Sequence, residues 1–203
     1  SELRDFYWLQ KHAVNYHVTV DNRTEQTFML GIMGPKSRGL LSRIARQDVS
    51  DSMLPYYKSH FFEEDGISFR ANRLSYVGEL GYELYFDRTN AKKIFSRIEQ
   101  EGQDLGLANA GFHAMNACRI EKSYKHWGHD IHDSINPYQS GLGFAVDMEK
   151  DEFIGKAALT GKKGKQSKRL VTIALTSDDA PLLLHDEPIF CNGKIIGLTT
   201  SGA

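Results

Sequence analysis

The stretch Ser75–Phe86, which reads Ser-Tyr-Val-Gly-Glu-Leu-Gly-Tyr-Glu-Leu-Tyr-Phe, constrains the fold of this chain more than any other. Gly78 and Gly81 predict a turn that feeds a strand, and side chains on a strand alternate between its two faces. Tyr82, Leu84 and Phe86 therefore share a core face, while Gly81, Glu83 and Tyr85 share the opposite one. Glu83 points away from the core. A carboxylate beside a glycine, flanked by Tyr76 and Tyr85, can hold a flat ligand that presents paired N–H donors, because an ionised carboxylate offers two acceptor oxygens. A solvent-facing glutamate on an antiparallel strand accounts for the same pattern. The strand alone leaves both readings open.

The segments before this stretch alternate between helical and extended patterns. Leu3, Phe6, Tyr7 and Leu9 fall at helical spacing, and Tyr16–Val20 alternates as a strand does. A strand over Thr27–Met33 runs into Gly34-Pro35, and Ser37, Leu40, Leu41 and Ile44 then mark an amphipathic helix with Pro35 at its first position. Gly34-Pro35-Lys36-Ser37 lacks the spacing of a phosphate loop. Strands are expected over 57–62 and 67–74, joined by a hairpin turn at Glu64-Asp65-Gly66. Thr89 reads as the N-cap of a helix with an Ala91, Ile94, Phe95, Ile98 stripe, stopped by Gly102. This order of elements resembles a split βαβ, ferredoxin-like unit. A four-residue echo, Leu41–Ile44 and Phe95–Ile98, suggests that the two helices pair.

Downstream, residues 111–122 read as a helix on which Arg119 shares a face with Met115 and Phe112. A guanidinium on a buried stripe must be ion-paired or must contact a ligand, since an unpaired buried charge is too costly. His126, His129 and His132 alternate with Asp130 and Asp133, which are metal-ligating residue types. Their spacing matches no recognised site and Gly128 interrupts it, so loop histidines around a packed Trp127 are the simpler reading. A loop and strand are expected over 137–146 and a short helix over 153–159. The basic run 162–169 reads as a solvated linker. Beyond it the pattern is all-β: 170–175, 187–191, and 194–199 across an Asn192-Gly193 hairpin. The expected division is a first domain over 1–164 and the start of a C-terminal β-barrel domain over 165–203.

Charge and cysteine content narrow the class. The 203 residues carry 25 basic and 26 acidic side chains, for a net charge of -1. Such a balance argues against nucleic-acid binding, which needs a basic face to displace counterions. No apolar run approaches the roughly 20 residues of a membrane span, so the chain is expected to be soluble. Cys118 and Cys191 are far apart, suggesting neither a disulfide framework nor a thiolate metal site, and a reducing compartment fits. No targeting segment is visible at the N-terminus. The final strand lacks a following partner, and the chain is expected to be a fragment of a larger fold.

Several ordered blocks together carry a family resemblance. They are Ser75–Phe86, Arg119-Ile120-Glu121-Lys122, His126-Trp127-Gly128-His129-Asp130, Gly141-Leu142-Gly143-Phe144, Phe153-Ile154-Gly155-Lys156, and Asn192-Gly193-Lys194 through Thr199-Thr200-Ser201-Gly202. With them the chain resembles the folate-binding region of the dimethylglycine and sarcosine dehydrogenases, itself similar to aminomethyltransferase, the T-protein of the glycine cleavage system. The resemblance runs from Gly34-Pro35-Lys36-Ser37-Arg38 to the last residues. It implies an α+β folate-binding domain and a tetrahydrofolate site, in which the one-carbon unit released by flavin oxidation of an N-methyl amine is captured as 5,10-methylenetetrahydrofolate. It also implies that Glu83 is the pterin-holding glutamate, that Tyr76 is its aromatic companion and that Arg119 is a cofactor-binding arginine. FAD would belong to an upstream domain of the same full-length chain. The implied location is the bacterial cytoplasm or, in a eukaryote, the mitochondrial matrix.

Two departures qualify the match. The aminomethyltransferases have an arginine where this chain has Met115. The family's catalytic aspartate falls upstream of everything present, so no catalytic residue is assigned and the fragment alone is expected to be inactive. A catalytically silent regulatory paralogue and a stand-alone aminomethyltransferase are the alternatives that share these motifs. A metal-dependent hydrolase using His126, His129 and Asp130 is a third reading. The basic run 162–169 is expected to attract an anionic polyglutamate tail.

Overall fold

The computed structural model of the protein describes residues 2–177 and 179–202. They form two compact units, Ser1–Ser75 with Glu79–Ala108, and Tyr76–Gly78 with Asn109–Ala203. Residues 165–203, expected as the start of a β-barrel domain, belong to the second unit.

The first unit is a four-stranded antiparallel sheet with two helices against one face. In chain order its elements are α1 (Glu2–Ala13), β1 (Thr27–Met33), α2 (Ser37–Ala45), β2 (Ser59–Glu64), β3 (Ile67–Asn72), β4 (Gly81–Asp87) and α3 (Ala91–Gly102). The strand order is β1-β4-β3-β2, with every neighbouring pair antiparallel. The α+β class holds, and α2 and α3 do pack together. In detail, two strands, β4 and β3, separate β1 from β2, where a split βαβ unit has one.

The core forms where alternation and helical periodicity meet. Tyr82, Leu84 and Phe86 of β4 are buried with Ile67, Phe69 and Ala71 of β3, and Phe62 of β2 and Ile32 of β1 join them. Leu40, Leu41 and Ile44 from α2 and Ile94 and Ile98 from α3 close this layer. Burying each large aliphatic side chain contributes roughly 1.5–3 kcal/mol. Phe62 and Phe69, opposed in the ladder, stack with centroids 5.4 Å apart. The β2–β3 hairpin turns on Asp65 and Gly66, both at positive φ (52° and 68°), as a two-residue type I′ turn requires.

Several expected details change. Tyr16–Val20 forms no strand, since no neighbour supplies a ladder for its backbone groups, and Tyr16 and Val18 are exposed. Pro35 sits in the turn before α2, whose N-cap is Lys36. Asp87, not Thr89, caps the turn that leads into α3. Its carboxylate accepts from the Thr89 backbone N–H at 2.9 Å, because a side-chain oxygen two residues earlier reaches the orphan donor. α3 ends at Gly102, as expected. The chain tightens into a 3₁₀ turn, Gln103–Leu105, and stops at Gly106, where φ is 74°.

The second unit contains α4 (Phe112–Glu121), α5 (Lys156–Leu159) and a two-stranded antiparallel sheet of β5 (Pro188–Cys191) and β6 (Lys194–Leu198). Asn192 and Gly193 make the expected hairpin turn, with φ of 50° and 73°. Residues 170–175 form no strand, and 137–146 is a series of turns with a 3₁₀ segment, Gly143–Ala145, where a strand was expected. On α4 it is Arg119 that is buried, while Phe112 is exposed.

Candidate functional site

Glu83 lies on the sheet face opposite the core, as the alternation of β4 dictates. Its ladder partners are Gly31 on β1 and Asn72 on β3. One neighbour has no side chain, and the Met33 methyl lies 3.1 Å from where its Cβ would stand; the other ends in an amide. Tyr85, two residues on and on the same face, is opposed by Met29 and Arg70. The Tyr85 hydroxyl donates to Glu83 Oε2 at 2.6 Å. Burial first, and the Glu83 carboxylate second, push the Tyr85 phenol up to about 12, so it remains a donor at neutral pH. The Arg70 guanidinium lies 4.9 Å from the centre of the Tyr85 ring, within cation–π range. Asn72 Oδ1 and Arg70 Nε are buried without a hydrogen-bond partner.

Gly81, at the start of β4, lies against the Met33 side chain, which would have to move to admit a larger residue. A Cβ there would stand 2.2 Å from Met33 Sδ and 3.1 Å from Ser75 Cβ. The turn before it belongs to the second unit at Gly78, which holds φ of 77° and would place a Cβ 2.2 Å from Lys122 Cγ. Gly78→Ala is therefore expected to cost about 1–2 kcal/mol from the left-handed backbone alone. Urea unfolding of the variant should show a lower midpoint with an unchanged slope, and an unaltered midpoint would contradict this account.

In the second unit Tyr76 donates its hydroxyl to the Lys125 carbonyl at 2.8 Å. Its ring stacks on Tyr124, with centroids 6.2 Å apart and planes 16° from parallel. Burial pushes the Tyr76 phenol up, against the opposing pull of Arg119.

Arg119 occupies the centre of a buried polar network in the same unit. Its Nε donates to Asn116 Oδ1 at 2.9 Å, Nη1 to the Tyr124 carbonyl at 3.0 Å and to Asp130 Oδ2, and Nη2 to Ser201 Oγ at 2.7 Å. Asp130 also accepts from Thr200 Oγ1 and from the His126 backbone N–H at 2.8 Å. The buried Arg119 is thus paired within the protein. Asp130 is engaged on both oxygens. Burial tends to raise its carboxyl, but hydrogen bonds from Thr200, His126 and Ser201 together with Arg119 outweigh that and hold it below the usual range.

The histidines form a stack. The rings of His126 and His129 are 4.4 Å apart, and His129 meets His185 edge-on at 5.8 Å. Burial, then His129 and Arg119, lower His126 below its ordinary value. Among the described residues no group of three or more His, Cys, Asp or Glu side chains is placed to hold a metal ion. Likewise, no helix among them is long and apolar enough to cross a membrane.

Tyr76 and Arg119 thus lie in one unit and Glu83 in the other. Arg70 and Asn72 were not among the expected site residues. Their alternation with the core residues Phe69 and Ala71 was a usable signal for their face, but only the β3–β4 register brings them beside Tyr85 and Glu83.

A family model described as the GCVT N-terminal domain matches residues 1–150. The chain belongs to that family. Among relatives of this GCVT domain, mitochondrial dimethylglycine dehydrogenase from Homo sapiens is 38% identical over 207 residues, covering 100% of the chain and 24% of the relative. A 4-methylaminobutanoate oxidase (formaldehyde-forming) from Paenarthrobacter nicotinovorans is 41% identical over 199 residues, covering 97% and 24%. The aminomethyltransferase of Halothermothrix orenii is 34% identical over 201 residues, covering 98% and 55%. The GCVT chain therefore spans about a quarter of the length of the first two relatives. Its fold matches the glycine cleavage system aminomethyltransferase T from Bartonella henselae with a TM-score of 0.77 at 21% identity, over 99% of this chain and 54% of the other.

Proposed function

We propose that this GCVT domain is the tetrahydrofolate-binding portion of a flavin-dependent N-methyl amine dehydrogenase of the dimethylglycine or sarcosine type, serving capture of the released one-carbon unit as 5,10-methylenetetrahydrofolate. The observation that carries the reading is the pair of acceptors on the outer sheet face. These are the two oxygens of the Glu83 carboxylate, which lies opposite the core with Gly31 and Asn72 as its ladder partners. A reduced pterin presents adjacent ring and amino N–H groups along one flat edge, and such an edge suits two neighbouring acceptors. The residues present therefore fit the group.

When bound, tetrahydrofolate supplies the amine nitrogens that accept the one-carbon unit. The chain's own part is to bind and orient: Glu83 takes the pterin N–H donors. Arg119, with its donors held by Asn116, Tyr124, Asp130 and Ser201, keeps the backbone behind Tyr76 in place. No residue of the chain is assigned a proton transfer, and FAD would be held elsewhere in the full-length protein. Higher identity to the dimethylglycine dehydrogenase and the methylaminobutanoate oxidase than to the aminomethyltransferase favours the amine-oxidising reading over a stand-alone transferase.

Calorimetric titration of tetrahydrofolate against the chain and its Glu83→Ala variant tests the assignment. Saturable binding weakened by the substitution is expected. Absence of binding to the unsubstituted chain, or equal affinities for the two, would remove it.

A further inference from the structure

Beyond Glu83 itself, we infer that Tyr85 is the positioning residue for the ligand-holding carboxylate, and that Arg70 holds Tyr85 in place. The inference rests on the reading of Glu83 as the pterin acceptor and extends it to residues that do not touch the ligand. A glutamate has three side-chain torsions, and fixing them on binding opposes association; a carboxylate already held in one orientation loses less. Glu83 and Tyr85 are two apart on β4 and so project from the same face. The 2.6 Å hydrogen bond from the Tyr85 hydroxyl to Oε2 fixes the carboxylate and leaves Oε1 for a ligand donor.

Tyr85 is itself fixed from the next strand. Arg70 is its ladder partner on β3, and the guanidinium covers the ring at 4.9 Å. Among the described residues Arg70 forms no ion pair, so the ring is the group that orients it. A half-buried phenol that stays protonated at neutral pH keeps donating as ligand enters and leaves, which a titrating group would not do. Arg70, Tyr85 and Glu83 thus form a chain of three contacts that ends on one free oxygen.

A double-mutant cycle read by calorimetric titration of tetrahydrofolate tests this. Tyr85→Phe keeps the ring and its cation–π contact and removes only the hydroxyl, so thermal unfolding should be close to that of the unsubstituted chain. Its affinity should nevertheless fall about three- to tenfold, the effect of losing one hydrogen bond to the binding group. In a Glu83→Ala background the same substitution should change nothing, because Tyr85 acts only through Glu83. Arg70→Gln should reproduce a smaller loss in the Tyr85 protein and none in Tyr85→Phe, Glu83→Ala.

An unchanged affinity in Tyr85→Phe, with Glu83→Ala still weakened, would overturn the positioning role and leave the pterin reading standing. Equal losses from Tyr85→Phe in both backgrounds would also overturn it, since Tyr85 would then act on its own. Unchanged affinity in Glu83→Ala would remove both.

Discussion

Asp130→Ala is expected to lower the stability of the second unit by about 3–5 kcal/mol, the range observed when one partner of a buried ion pair is removed. Arg119 and Asp130 side chains are only 2% and 5% exposed, so solvent cannot screen the charge left behind. The substitution strands a guanidinium and also leaves Thr200 and the His126 N–H without their acceptor. Trp127 belongs to this unit and Trp8 to the other, so urea unfolding followed by Trp127 fluorescence in a Trp8→Phe background reads the effect. A loss under about 1 kcal/mol would mean that the pair is solvated and the account wrong. Removing both charges together, with Arg119→Met and Asp130→Leu, should recover much of the loss, because no charge is then buried alone.

The same carboxylate sets an acid limit. Its folded pKa lies below the ordinary aspartate value, so its contribution is complete above an unfolded pKa of about 3.9 and declines as pH falls through the folded value. Acid unfolding of the second unit should therefore develop below about pH 4. Asp130→Asn, already destabilised, should lack that part of the pH dependence.

Glu83→Ala is expected to weaken tetrahydrofolate binding by about one to two decades. A hydrogen bond to a charged group contributes roughly 1.5–3 kcal/mol, and each 1.4 kcal/mol is tenfold in affinity. The effect should appear in binding and hardly at all in folding. Glu83 faces away from the core, while its neighbours Tyr82 and Leu84 are fully buried and untouched by the change. Glu83→Gln separates charge from shape. It keeps the length of the side chain but replaces one acceptor oxygen with a donor, so it should lose nearly as much affinity as alanine. A Glu83→Gln variant that binds as well as the unsubstituted chain would show that the carboxylate does not receive the pterin N–H groups.

How much of this was legible beforehand depends on whether the physical cause is local. Alternation along Gly81–Phe86 was enough to put Tyr82, Leu84 and Phe86 in the core and Glu83 opposite, because strand side chains change face at every residue. Asp65-Gly66 and Asn192-Gly193 were legible as hairpins, since their positive φ angles are a property of those residue types. The same local reasoning failed at Tyr16–Val20 and at 170–175, where an extended pattern needs a partner strand that the fold does not supply.

The sequence by itself determined the family, through blocks at matching spacing, and the face on which Glu83 stands. It determined too that Arg119 had to be paired or liganded, because burial of a lone charge is prohibitive wherever it occurs. Only the tertiary structure supplied the pairing, by bringing Asp130 and Ser201 to Arg119 from 11 and 82 residues away. It alone also set Arg70 beside Tyr85 and Asn72 beside Glu83, for cross-strand neighbours follow from the register of two strands and no single strand encodes that register.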